Sequence, residues 1–178
     1  TTSNTKLGSG TFGLPARKIK FVIGHSDLPA GPGQYCSQTT SALGSAVSDA
    51  SVSCRKKMVE IAKTTSFFHT EKIHEADLKD FLFENGSMIL AQEPTKKLSY
   101  SDVLKYANVP KVELLEDSQR VSQDKYTTYA YAVHFVKVLV HSATGVVRLG
   151  KIVAVVDGGK IVSENTARSQ VIGGVVSG

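Results

Sequence analysis

Apolar residues recur at three- and four-residue steps from about Gln38 to Lys63. Leu43, Val47, Ala50, Cys54, Met58 and Ile61 draw one stripe along that stretch, which predicts a long amphipathic helix. Lys56, Lys57, Glu60 and Lys63 fall off the stripe and read as its solvated face. The period changes elsewhere. Arg17–Gly24 alternates into an apolar finish and reads as a short strand, and Lys111–Asp117 is another strand candidate. Leu78–Phe83 and Met88–Gln92 flank Glu84-Asn-Gly-Ser, whose Asn-Gly favours positive φ; the expectation is a β-hairpin. Ser99-Tyr-Ser-Asp102 has the form of a capping box opening a helix over 100–107, which Asn108-Val-Pro110 closes.

Thr128–His141 is apolar on both alternating faces, the pattern of a buried central strand. Ser142-Ala-Thr-Gly145 turns it, and Val146–Val156 returns as its hairpin partner. A last helix runs from Ala167 to the end, with Asn165 or Thr166 as its cap. Residues 1–16 are polar and Gly-rich and read as loosely ordered. Strands and helices do not alternate strictly, so the class is α+β. The expected architecture is a mixed sheet with a long hairpin packed against one long helix and shorter helices, in a single domain over 1–178.

The junction ahead of the long helix stands out. Gly31-Pro-Gly-Gln-Tyr-Cys-Ser-Gln-Thr-Thr40 joins a Gly/Pro loop to small hydroxyl residues at a helix start. Free backbone N–H groups, hydroxyls and the positive end of a helix dipole at one spot suit a phosphate or other anion. The same pattern also serves an ordinary cap, with Ser37, Thr39 or Thr40 tying off orphan donors. In the last helix Gly173-Gly174 costs about 2 kcal/mol at the usual rate per glycine. That cost points to close backbone contact beside Gln170, whose amide offers both donor and acceptor.

Composition narrows the classes. The chain has 178 residues, 41% hydrophobic and 21% charged, which is ordinary for a globular protein. The net charge of +5 comes from scattered Lys and Arg without interleaved aromatics, so nucleic acid is not an expected partner. No run of 18 apolar residues offers a membrane span. Cys36 and Cys54 would stand about 25 Å apart along a helix, too far to pair. His69 and His74 do not share a helical face, so no metal set is expected. His134 reads as a strand histidine and not a ligand. His25-Ser26-Asp27 lacks any nucleophile-elbow frame, and no Walker-type or GxGxxG motif occurs. These residues name no reaction.

Two separated motifs do resemble a family. Gly24-His-Ser-Asp-Leu-Pro-Ala-Gly-Pro with Ser37-Gln-Thr-Thr-Ser-Ala-Leu-Gly-Ser-Ala-Val is similar to the molybdopterin-binding subunit of the xanthine dehydrogenase/aldehyde oxidoreductase family. Thr144-Gly-Val-Val-Arg-Leu-Gly-Lys-Ile-Val-Ala-Val-Val-Asp-Gly-Gly-Lys with Ala167-Arg-Ser-Gln-Val-Ile-Gly-Gly-Val-Val resembles that family's strand–loop–helix near the cofactor. The resemblance implies a molybdenum hydroxylase that oxidises aldehydes or N-heterocycles, with the metal performing the difficult step and the protein binding and orienting the cofactor. It implies that Cys36, Ser37, Gln38, Thr39, Thr40 and Gln170 line a molybdenum–molybdopterin site, the cofactor in dinucleotide form. It further implies an iron–sulfur subunit with a 2Fe-2S centre and a flavin (FAD) subunit as partners or fused domains. A cytoplasmic location is expected, or a periplasmic one through a partner's export signal.

The chain departs from the family pattern in places. Tyr35-Cys36-Ser37 stands where Gly-Gly-Ser is usual, and His25 where Asp is common. The upstream Gly-Gln-Gly-type loop and the downstream Gly-x-Gly-Glu segment with the catalytic glutamate are missing, so no catalytic residue is nominated. A chain opening on Thr-Thr-Ser and closing mid-helix reads as a fragment, expected to be inactive and molybdenum-free alone. The alternative is a non-catalytic α+β module binding an anionic ligand or nucleic acid, or a degenerate homologue that keeps only the fold.

Overall fold

The computed structural model describes residues 2–31, 38–68, 75–118, 127 and 129–178. The chain forms two compact units, Thr1–Gln119 and Arg120–Gly178. Helices and strands are both present, as the α+β class requires. The expected mixed sheet is replaced, among the described residues, by two antiparallel sheets: three strands in the first unit and two in the second.

The first unit is built on α2 (Thr39–Lys63), the long helix drawn by the apolar stripe. Its C-terminal half buries Met58, Val59, Ile61 and Ala62 against a meander of β1 (Phe81–Glu84), β2 (Ser87–Leu90) and β3 (Glu93–Ser99). Phe81, Phe83, Met88, Leu90 and Leu98 face that core, with Val103 of α3 (Tyr100–Tyr106). Phe68 is completely buried and meets Phe81 edge-on at 5.6 Å. Burying a side chain of that size contributes about 1.5–3 kcal/mol. Asn85 and Gly86 both take positive φ (49° and 75°) in the two-residue β1–β2 loop, as Asn-Gly predicted. Ser99 caps α3, its Oγ accepting from the Asp102 N–H, and Asn108 leaves the helix at φ 55°.

Residues 2–12 are not loosely ordered but form α1 (Thr2–Phe12). Glycines give this helix little propensity of its own; packing supplies the stability. Gly44 of α2 is buried where a Cβ would stand 3.2 Å from Leu7 Cδ1, so the two helices approach closely. The α1 C-terminus is tied to the meander, with Gly86 N–H donating to Gly13 O and the Tyr100 hydroxyl donating to the Phe12 carbonyl. Arg17–Gly24 forms no strand: Ala16–Lys18 is a 3-10 turn, and the rest finds no neighbouring strand to pair with. Lys111–Asp117 is likewise unpaired. Its neighbour Ser118 hydrogen-bonds the Asp49 carboxylate of α2, so the segment follows the helix and joins no sheet.

The second unit contains β4 (Tyr131–Val140), β5 (Val147–Asp157) and α4 (Glu164–Ser177). The two strands pair antiparallel as the long hairpin expected. Its register shifts between Lys137 and Val138, where Gly150 is the extra residue. A Cβ on Gly150 would lie 3.2 Å from the Lys137 carbonyl, so glycine suits that bulge. The burial expectation is corrected: β4 is exposed on both faces apart from a half-buried Val133. A two-stranded sheet provides no layer to cover either face. The N-cap of α4 is Ser163, ahead of the expected Asn165 or Thr166; the Thr166 hydroxyl donates back to Ser163 O at 3.0 Å.

Candidate functional site

At the start of α2 the N-cap is Gln38, in helical dihedrals and making no side-chain cap bond. The first helical bond runs from Ala42 N–H to Gln38 O at 2.9 Å. The N–H groups of Thr40 and Ser41 therefore precede the helical ladder. The Ser41 and Ser45 hydroxyls are used, donating to Gln38 O and Ser41 O at 2.8 Å each. Gln38 and Thr40 are exposed and Thr39 is half-buried. The first turn carries no acidic residue, so no carboxylate of that turn cancels the partial positive charge of the helix end. Such a terminus can receive an anion.

Gln170 lies exposed on α4. Gly173 and Gly174 sit three and four residues on, hence on the same helical face. Neither glycine would place a Cβ within 4 Å of anything outside its own helix backbone. That face is bare backbone beside a carboxamide, a surface a planar polar group can approach closely. The α4 N-terminus is a poorer anion site, because Glu164 occupies its first turn.

Among the expected site residues, Gln38, Thr39 and Thr40 form one contiguous patch in the first unit. Gln170 belongs to the second unit. Cys36 and Ser37 lie outside the described residues, as do His69 and His74. His25 turns the chain by accepting from Leu28 N–H at its carbonyl, and His134 stands opposite Ala154 on the hairpin. Among the described residues no group of three His, Cys, Asp or Glu side chains converges on a metal position. Cys54 is half-buried, and burial pushes its thiol above the ordinary range, which disfavours a nucleophilic role. Tyr100 is pushed up to about 12 by burial, opposed by the nearby Arg55 charge. Arg55 stacks its guanidinium 4.3 Å from the Phe83 ring centroid, a role that spacing along the sequence does not disclose. Asn4, in the stretch that reads as loose, is buried, and among the described residues its side-chain oxygen has no partner.

The sequence matches the molybdopterin cofactor-binding domain family over residues 2–178. The chain belongs to that family. It is 28% identical to the aldehyde oxidoreductase molybdenum-binding subunit PaoC of Escherichia coli (strain K12), over 99% of this chain and 23% of that subunit. The fold is similar to quinoline 2-oxidoreductase from Pseudomonas putida 86, with a TM-score of 0.70 and 19% identity over 98% of this chain and 22% of that one. It is also similar to Cu,Mo-CO dehydrogenase, with a TM-score of 0.72 and 22% identity over 97% and 21% of the two chains. The chain thus spans under a quarter of the length of these relatives. The family's cofactor suits both patches. The acid-free start of α2 matches a phosphate, and the open Gln170–Gly173–Gly174 face matches a hydrogen-bonding ring system. Among the described residues no helix is long and apolar enough to cross a membrane.

Proposed function

We propose that these residues form part of the molybdopterin site of a molybdenum hydroxylase of the xanthine dehydrogenase/aldehyde oxidase type. The observation that carries the reading is the start of α2, uncapped by its own side chain and free of acid. In the proposal, the Thr40 and Ser41 N–H groups and the residues Cys36–Thr40 hold the phosphate-bearing part of a pterin dinucleotide. Gln170 orients the ring part by donating and accepting hydrogen bonds at its amide. The cofactor, when bound, supplies the oxidation of an electron-poor C–H carbon. This chain's contribution is binding and orientation, with no catalytic residue nominated, and the 178 residues form a single-domain piece of the subunit. The substrate is an aldehyde or an N-heterocycle, and electrons leave through iron–sulfur and FAD partners in the cytoplasm.

The test is the metal and pterin content of the full-length protein, measured with aldehyde-dependent dye reduction. Molybdenum near one equivalent with dye reduction supports the proposal. Salt-sensitive oligonucleotide binding without metal would instead indicate a binding module.

A further inference from the structure

The first turns of α2, which the functional reading uses, gain little stability from their own sequence. Thr39-Thr-Ser-Ala-Leu-Gly-Ser-Ala-Val-Ser48 is mostly Thr, Ser, Val and Gly, all weaker helix formers than alanine. Such a stretch frays unless something packs against it. Among the described residues from Thr39 to Ala50, Gly44 is the only buried one, and what it meets is α1. A Cβ on Gly44 would stand 3.2 Å from Leu7 Cδ1 and 3.9 Å from Asn4 Oδ1. Farther along both helices, Phe12 lines one cleft with Val47, Ala50, Ser51 and Cys54. The helices therefore run in the same direction, with α1 laid along the first half of α2.

This seam is held by fit more than by apolar area. The residues that α1 buries are Asn4 and Gly8, and neither brings an apolar side chain. At its far end α1 is fixed to the meander through Phe12 and Gly13. We propose that Gly44 is a positioning residue: it lets Leu7 close on α2, so that α1 holds the first turns of that helix in the geometry that receives the cofactor's phosphate. The inference rests on the functional reading above. Added volume at a fitted seam forces the facing element away, and removing volume from the facing side chain relieves it, so the two positions are coupled.

Amide hydrogen exchange and pterin release of the full-length protein test this, in wild type, in Gly44→Val and in Gly44→Val combined with Leu7→Ala. In Gly44→Val, residues 40–48 should exchange about tenfold faster and pterin should leave about tenfold faster, while residues 81–90 keep their wild-type rates. Adding Leu7→Ala should bring exchange and release back to within about twofold of wild type. In wild type stripped of pterin, residues 3–12 and 40–48 should open together and more often than residues 81–90. That comparison decides the matter even where Gly44→Val fails to fold. Unchanged exchange in Gly44→Val, no rescue by Leu7→Ala, or separate opening of the two stretches overturns the proposal. Wild-type protein that holds no pterin overturns the functional reading together with it. Pterin held by the wild type and released at the same rate from Gly44→Val overturns this inference alone.

Discussion

Tyr100 shows how one side chain fastens two elements. Its hydroxyl donates to the Phe12 carbonyl at the end of α1, and burial raises its pKa to about 12. The unfolded chain loses this proton near pH 10 and the folded chain near 12, so the folded form binds more protons in that window. Stability is therefore unaffected by this group below pH 10 and falls as pH rises from 10 to 12. Tyr100→Phe should flatten that alkaline limb and lose about 0.5–1.5 kcal/mol at neutral pH for the missing hydrogen bond. Thermal unfolding of both proteins across pH 8–12 checks both effects. This tie is not legible in the sequence, because its partner is a backbone carbonyl in a polar, Gly-rich stretch. The Gln38–Thr40 and Gln170 patches, in contrast, were visible as residue types beside Gly and Pro.

Elements whose cause is local were legible. The α2 stripe, the Asn-Gly hairpin turn and the Ser99 cap all depend on residues within a few positions of one another. Ser99 Oγ accepts from Asp102 N–H at 3.1 Å and bonds the Asp102 carboxylate at 2.6 Å. Ser99→Ala should therefore cost about 1 kcal/mol, seen as a lower unfolding midpoint, while Ser101→Ala should cost less. Elements whose cause is distant were not legible. α1 exists because Gly44, more than 30 positions on, admits it closely. Arg17–Gly24 and Lys111–Asp117 have strand-like patterns but lack a partner, and a strand needs a neighbour to satisfy its backbone.

At the scale of the molecule, the two units differ in kind. The first encloses an apolar core between α2, α3 and a meander. The second presents apolar surface outward, with seven basic and three acidic residues. The apolar run of β4 reads as a buried strand, yet among the described residues β4 is exposed apart from Val133, since hydrophobic pattern does not name the element that would cover a face.

The central proposal is that the acid-free start of α2 holds the phosphate of the pterin cofactor, with Gln170 proposed as a separate contact to it. It is tested most directly by pterin retained per full-length protein in Thr40→Ala and Gln170→Ala, with the exposed Ser48→Ala of α2 as control. Charge-assisted hydrogen bonds contribute about 1.5–3 kcal/mol, so Thr40→Ala should weaken retention by roughly tenfold or more, Gln170→Ala should lower it clearly, and Ser48→Ala should leave it unchanged. Wild-type retention in either site variant, with the fold intact, would contradict the account.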